Sequence, residues 1–97
     1  MKTWLIYVHT APDGRRYVGQ STLSMEERWA QHVRKAEGSK PSNCKFTNAL
    51  RRFPPHTWTH EVVAMYTSQF DTDKAERLWI AKLNTRHPHG FNLQTGG

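Results

Sequence analysis

The 97-residue chain reads as an α+β domain: a three-stranded antiparallel sheet, made of an N-terminal β-hairpin plus a later third strand, flanked by three helices in the order ββααβα. Three observations predict this. Two short β-rich runs near the start are separated by a Pro-Asp-Gly turn. Three later stretches carry apolar residues at helical spacing. A β-branched run, 57–66, lies between the second and third of these.

Residues 3–9, TWLIYVH, are apolar enough for a buried strand, and RRYVGQ returns as its partner. Between them Pro12 presets φ, Asp13 favours a local turn, and Gly14 accepts the positive φ of a three-residue loop with a bulge. This loop pairs Ala11 with Arg15, and therefore His9 with Tyr17 and Tyr7 with Gly19. Strand side chains alternate, so these last four share one face, and the glycine leaves room above the Tyr7 ring. A four-residue loop would put the two tyrosines on opposite faces.

STLSMEERWAQHVRKAE is a helix with a Ser24/Glu27 capping box and a buried stripe of Met25, Trp29, Val33 and Ala36. NCKFTNALRRF is a second, with Phe46, Ala49, Leu50 and Phe53 on one face and Pro54-Pro55 as its stop. TWTHEVVAMY is the third strand. DTDKAERLWIAKL is the third helix, capped by Asp71 or Thr72. The tail NTRHPHGFNLQTGG is expected to be irregular and to fold over the core through Phe91 and Leu93.

No linker, repeat or low-complexity tract divides the chain, so residues 1–97 are expected to form one domain, taken as a monomer. Fourteen Lys and Arg against eight Asp and Glu leave a net charge of +6, which favours a polyanionic partner such as nucleic acid. Cys44 is the single cysteine; it excludes an intrachain disulfide and a Cys-based metal cluster, and fits a reducing compartment. The apolar run Trp4–Val8 is too short for a signal peptide or a membrane span. A cytoplasmic location, no membrane partner and no small-molecule cofactor are therefore expected.

Several polar groups need a reason. Arg28 and His32, four apart, share a helix face beside the apolar stripe. Glu76 falls within the arc of Ala75, Trp79, Ile80 and Leu83, where a carboxylate is costly unless it is paired or bound to a cation. A metal ligand and a structural ion pair with Arg28 both satisfy that position. Asn92, between Phe91 and Leu93, suits a structural hydrogen bond or a ligand contact. His87 and His89 lack the companions of a zinc site. Arg34, Lys35, Lys40, Lys45, Arg51 and Arg52 crowd the first two helices and their connection, a density that favours contact with a phosphate backbone.

Tyr7 in LIY, Tyr17 in YVG, Arg28 and His32 as R-x-x-x-H, Glu76 in AERLWIAKL, and the ending GFNLQTGG together resemble the GIY-YIG nuclease family, most nearly the catalytic domains of phage-type homing endonucleases. Leu5 stands where the first motif usually has glycine, and Val18 where the second has isoleucine. The resemblance implies a DNA endonuclease that hydrolyses phosphodiester bonds with a single divalent ion, Mg²⁺ or Mn²⁺, held by Glu76, leaving 5′-phosphate and 3′-hydroxyl ends. It implies catalytic roles for Tyr7, Tyr17, Arg28, His32 and Glu76. Asn92 would organise the site or substrate, with Gly19, His9, Arg34, Lys35, Lys45, Arg51 and Arg52 as further substrate contacts. One carboxylate makes a weak cage for a hard cation, so the ion is expected to bind poorly without DNA. The alternative is a non-catalytic nucleic-acid-binding module of the same fold.

Overall fold

The structure, a computed structural model, describes residues 2–38, 40 and 44–92. The expected Leu93 contact and the chain beyond Asn92 lie outside them. Strands β1 (Trp4–Thr10), β2 (Arg16–Ser21) and β3 (Thr59–Tyr66) and helices α1 (Met25–Glu37), α2 (Lys45–Arg52) and α3 (Gln69–Leu83) follow the order ββααβα. The sheet is antiparallel with strand order β2-β1-β3.

The hairpin register is the one the Pro-Asp-Gly loop dictates. The Ala11 amide donates to the Arg15 carbonyl at 2.8 Å, and Gly14 takes φ +92°. Tyr7 thus lies opposite Gly19 and His9 opposite Tyr17. Tyr7, His9, Tyr17 and Gly19 share a face. On the other side of β1, Ile6 pairs with Ala64 but Tyr7 with Val62, so Val63 is an extra residue. Both Val63 and Ala64 consequently turn toward α3.

Two apolar clusters sandwich the sheet. On one face Ile6, Val8 and Val18 pack against Ala75 and Ile80 of α3. On the other, Phe46, Ala49 and Leu50 of α2 join Ala36, Trp58 and Phe91. Of the stripe expected on α1, only Ala36 is fully buried; Met25, Trp29 and Val33 are half-covered, because α1 lies at the edge of this cluster. The Ser24 hydroxyl accepts from the Glu27 amide, as the capping box requires. Helix α3 begins earlier than its sequence suggested. Its cap is Ser68, which accepts from the Asp71 amide, while the Thr72 hydroxyl is buried and donates to the Ser68 carbonyl. A 3₁₀ turn at Pro55–Thr57 occupies what was read as the start of β3.

The tail closes the open edge of β2. The Asn92 side chain accepts from the Val18 amide at 2.9 Å and donates to the Val18 carbonyl at 2.8 Å, imitating a neighbouring strand. The Thr85 hydroxyl donates to the same Asn92 oxygen, and the Phe91 amide donates to the Arg16 carbonyl. An unpaired strand edge invites association with other chains; here side-chain amide bonds cap it.

Candidate active site

A cavity of about 450 Å³ opens at the β2 edge of the sheet, lined by Tyr7, Tyr17, Gly19, Gln20, Arg28, Gln69, Asp73 and Glu76. The sheet supplies the phenols, α1 the guanidinium and α3 the carboxylates. Gly19 makes this convergence possible. A Cβ at position 19 would lie 2.4 Å from the Tyr7 hydroxyl, so the Tyr7 side chain fills the space a side chain would otherwise occupy.

Tyr7 is buried, and its hydroxyl lies 3.1 Å from Nε2 of His32. Burial raises the Tyr7 pKa above the usual phenol range, while the Arg28 guanidinium, within hydrogen-bonding reach, pulls the other way. Burial, helped by the positive charges of Arg28 and Lys35, pushes His32 down to about 4. At neutral pH the pair is thus a phenol and a neutral imidazole. In the tautomer with the His32 proton on Nδ1, the Tyr7 O–H donates to Nε2.

Tyr17 stacks on Phe46 with ring centroids 4.1 Å apart and planes within 2°, and its centroid lies 6.5 Å from that of Tyr7. Burial again raises its pKa, so Tyr17 meets the cavity as a protonated donor. Nη1 of Arg28 donates to Oε1 of Gln31 at 2.8 Å, which fixes one arm of the fork. Glu76 is 7 % exposed.

A second carboxylate enters from one turn away. Gln20 and Gln69 both donate to Oδ1 of Asp73, at 2.8 and 2.7 Å, and Gln69 also donates to Gln20. These three residues, together with Gln31, were not singled out from the sequence. Placing the start of α3 too late hid the i, i+4 relation between Gln69 and Asp73.

The structure therefore brings Tyr7, Tyr17, Gly19, Arg28 and Glu76 to one cavity wall, with His32 directly behind Tyr7. It places the remaining sequence candidates elsewhere. His9 is 0 % exposed, wedged between Trp29 at 4.6 Å and Tyr7 at 4.7 Å, with its Nδ1 2.8 Å from Nδ1 of His60. Asn92 is buried in the β2 edge closure. Arg51 ties the α1–α2 connection together, donating to the carbonyls of Ala36, Gly38 and Lys40. Arg34 and Lys35 are exposed on α1, while Lys45 and Arg52 line a separate groove.

Comparison with known proteins identifies the family and the fold. The profile of the GIY-YIG catalytic domain matches residues 3–92. The chain belongs to the GIY-YIG family. Two solved structures share its fold. A mutant of the catalytic domain of intron endonuclease I-TevI, bearing alanine in place of a glutamate, superposes with TM-score 0.80 at 21 % identity, covering 100 % of this chain and 98 % of that one. The catalytic domain of homing endonuclease I-TevI gives TM-score 0.75 at 20 % identity, covering 92 % and 96 %. No curated protein sequence matches the chain. The GIY-YIG domain here thus has the ββααβα architecture of these relatives around its own set of cavity residues. No helix among the described residues is long and apolar enough to cross a membrane.

Proposed function

We propose that this GIY-YIG domain is a divalent-metal-dependent DNA endonuclease that hydrolyses phosphodiester bonds to 5′-phosphate and 3′-hydroxyl ends. The observation that carries the reading is the convergence of Tyr7, Arg28 and Glu76 on one phosphate-sized cavity with neutral His32 bonded behind Tyr7. Membership of the family supports it.

The donor set fits a hard cation. Glu76 offers anionic oxygen at the cavity wall, and Asp73 offers a second carboxylate beside it. Among the described residues no group of three or more His, Cys, Asp or Glu is placed to hold a metal, so water would complete the coordination of a single Mg²⁺ or Mn²⁺ on Glu76. Such an ion, when bound, supplies Lewis acidity to the departing 3′ oxygen.

The remaining chemistry belongs to the side chains. The Tyr7 oxygen accepts a proton from the attacking water as its own proton passes to Nε2 of His32, so a buried phenol whose pKa is raised acts as base without first ionising. The new water O–P bond forms while the P–O3′ bond breaks, the departing 3′ oxygen takes a proton from a solvent water to end as a hydroxyl, and His32 returns its extra proton to solvent. Arg28, permanently cationic and held by Gln31, meets the charge growing on the phosphoryl oxygens. Tyr17 donates a hydrogen bond that orients the phosphate.

Supercoiled plasmid incubated with the protein and Mg²⁺ is expected to be nicked and linearised, chelator is expected to stop the reaction, and the products are expected to be sealed by a DNA ligase without prior phosphorylation. Binding without any cutting would instead establish the non-catalytic module. Gly19→Ala is expected to lower turnover about 100-fold, because the added Cβ displaces the Tyr7 hydroxyl from His32 and misplacement of about 1 Å has that effect. In a Tyr7→Phe background the same change is expected to cost far less, a non-additivity that marks the contact as the cause.

A further inference from the structure

A second concave site lies along β2 from the cavity. Lys45, Asn48, Ala49 and Arg52 of α2 are spaced i, i+3, i+4 and i+7, so they form one helix face. With Arg15 of the hairpin and His87 and Phe91 of the tail they line a groove of about 210 Å³. No carboxylate is among these lining residues. Three cations drawn from two separate elements converge there, and the Asp13 carboxylate beside them is taken up by Arg15.

We infer that this groove seats a second backbone phosphodiester of the DNA strand being cut, about one or two nucleotides from the scissile one. The inference takes its ligand from the nuclease reading above. Arg15 immediately precedes β2, two and four residues from Tyr17 and Gly19. At the usual strand rise these steps amount to about 7 and 13 Å. Successive phosphates of a duplex strand rise about 3.4 Å along the axis but wind around it, so they lie roughly 7 Å apart, which puts the groove about one or two nucleotides from the cavity.

Arg15 is built for the task. Its Nε donates to Oδ2 of Asp13 at 2.6 Å, and its backbone amide donates to Oδ1 of the same residue at 3.0 Å. The guanidinium also lies over the Phe91 ring at 4.9 Å. The arm is therefore held at Nε, while neither terminal Nη takes part in the Asp13 bonds. Two parallel N–H groups in a fixed plane match a phosphate better than a mobile ammonium does. Lys45 and Arg52 add charge from the first and last turns of α2.

The test is the salt dependence of binding to a labelled duplex of mixed sequence, in chelator so that nothing is cut. Lys45→Gln/Arg52→Gln is expected to make the slope of log Kd against log salt shallower by about two units, close to one per phosphate contact. Lys74→Gln/Arg77→Gln removes the same charge from exposed positions of α3 and is expected to leave the slope within half a unit of wild type. Lys45→Arg/Arg52→Lys, which keeps the charge, is expected to restore the wild-type slope. An unchanged slope in the first variant, or an equal loss in the α3 control, overturns the inference. Plasmid nicking with unchanged slopes sinks the groove alone. A shallower slope in a protein that never nicks sinks the nuclease reading and leaves the groove as a DNA-backbone site.

Discussion

Glu76→Ala is expected to reduce plasmid nicking by about 10³- to 10⁴-fold, the equivalent of the several kcal/mol a cation supplies to a developing alkoxide. The reasoning begins with position. Glu76 lies on α3 with little exposure, yet it lines the cavity that Tyr7 and Arg28 also line. Its charge reaches both phenols, since it contributes to the raised pKa of Tyr7 and of Tyr17. Glu76→Gln, which keeps the size and loses the charge, is expected to be as inactive as the alanine variant. Activity alone would not separate a metal ligand from a structural carboxylate. Mn²⁺ binding to the protein–DNA complex, followed by electron paramagnetic resonance, supplies the second readout: wild type is expected to hold one ion, and both variants none. Asp73→Asn is expected to weaken that binding without abolishing it, because Oδ1 of Asp73 is already engaged by two amides. Nicking by Glu76→Ala within tenfold of wild type would overturn the assignment.

The parts of this site legible in the sequence are those that local chemistry determines. Pro12-Asp13-Gly14 sets a loop length, the loop length sets the register, and the register places Tyr7 against Gly19. Arg28 and His32 follow from helical spacing once Ser24 and Glu27 locate the start of α1. What escaped depends on contacts distant in sequence. Arg51 looked like one more surface cation in a basic run, but the carbonyls it serves belong to the end of α1 and to the connection beyond it. Asn92 reads as a structural hydrogen bond from its neighbours and as a site residue only through the resemblance; the β2 edge, 74 residues earlier, decides for scaffold. Gln20 and Asp73 meet across 53 residues, and an uncharged amide on a strand carries no signal of such a partner. His9 reads as part of the tyrosine face and as a substrate contact, and nothing in the sequence marks His60, 51 residues away, as its partner.

That histidine pair makes the fold itself acid-sensitive. Burial, then the charges of His60 and His32, push His9 down to about 3. Burial likewise lowers His60, against the opposing pull of Glu26, and takes His32 to about 4. The 2.8 Å contact between the two Nδ1 atoms needs one proton, and Nε2 of His9 is buried without a partner among the described residues. A second proton at this contact, on the accepting Nδ1, would set two N–H groups against each other. In the unfolded chain all three histidines titrate near pH 6.5. Above that pH neither state binds the protons, and stability is flat. Below it the unfolded chain takes protons that the folded one refuses, so stability falls from about pH 6.5 toward pH 4. Each unit of pH in this window removes about 1.4 kcal/mol per fully displaced histidine, so His9 and His32, pushed down to about 3 and about 4, are together expected to cost several kcal/mol by pH 4. Urea unfolding followed by tryptophan fluorescence from neutral pH to pH 4 measures it directly. His9→Phe, whose ring suits the surrounding Tyr7, Trp29 and Phe46, is expected to flatten the dependence and to be the more stable protein in acid. A wild-type stability that stays level down to pH 4.5, or a His9→Phe profile parallel to wild type, would show that these imidazoles do not govern acid stability. The consequence for catalysis is a matter of order. Protonating His32 in the folded enzyme would silence Tyr7 only near pH 4, whereas the fold weakens well before that. Acid loss of nicking in wild type is therefore expected to track unfolding, and to shift to lower pH in His9→Phe although that residue is absent from the cavity wall.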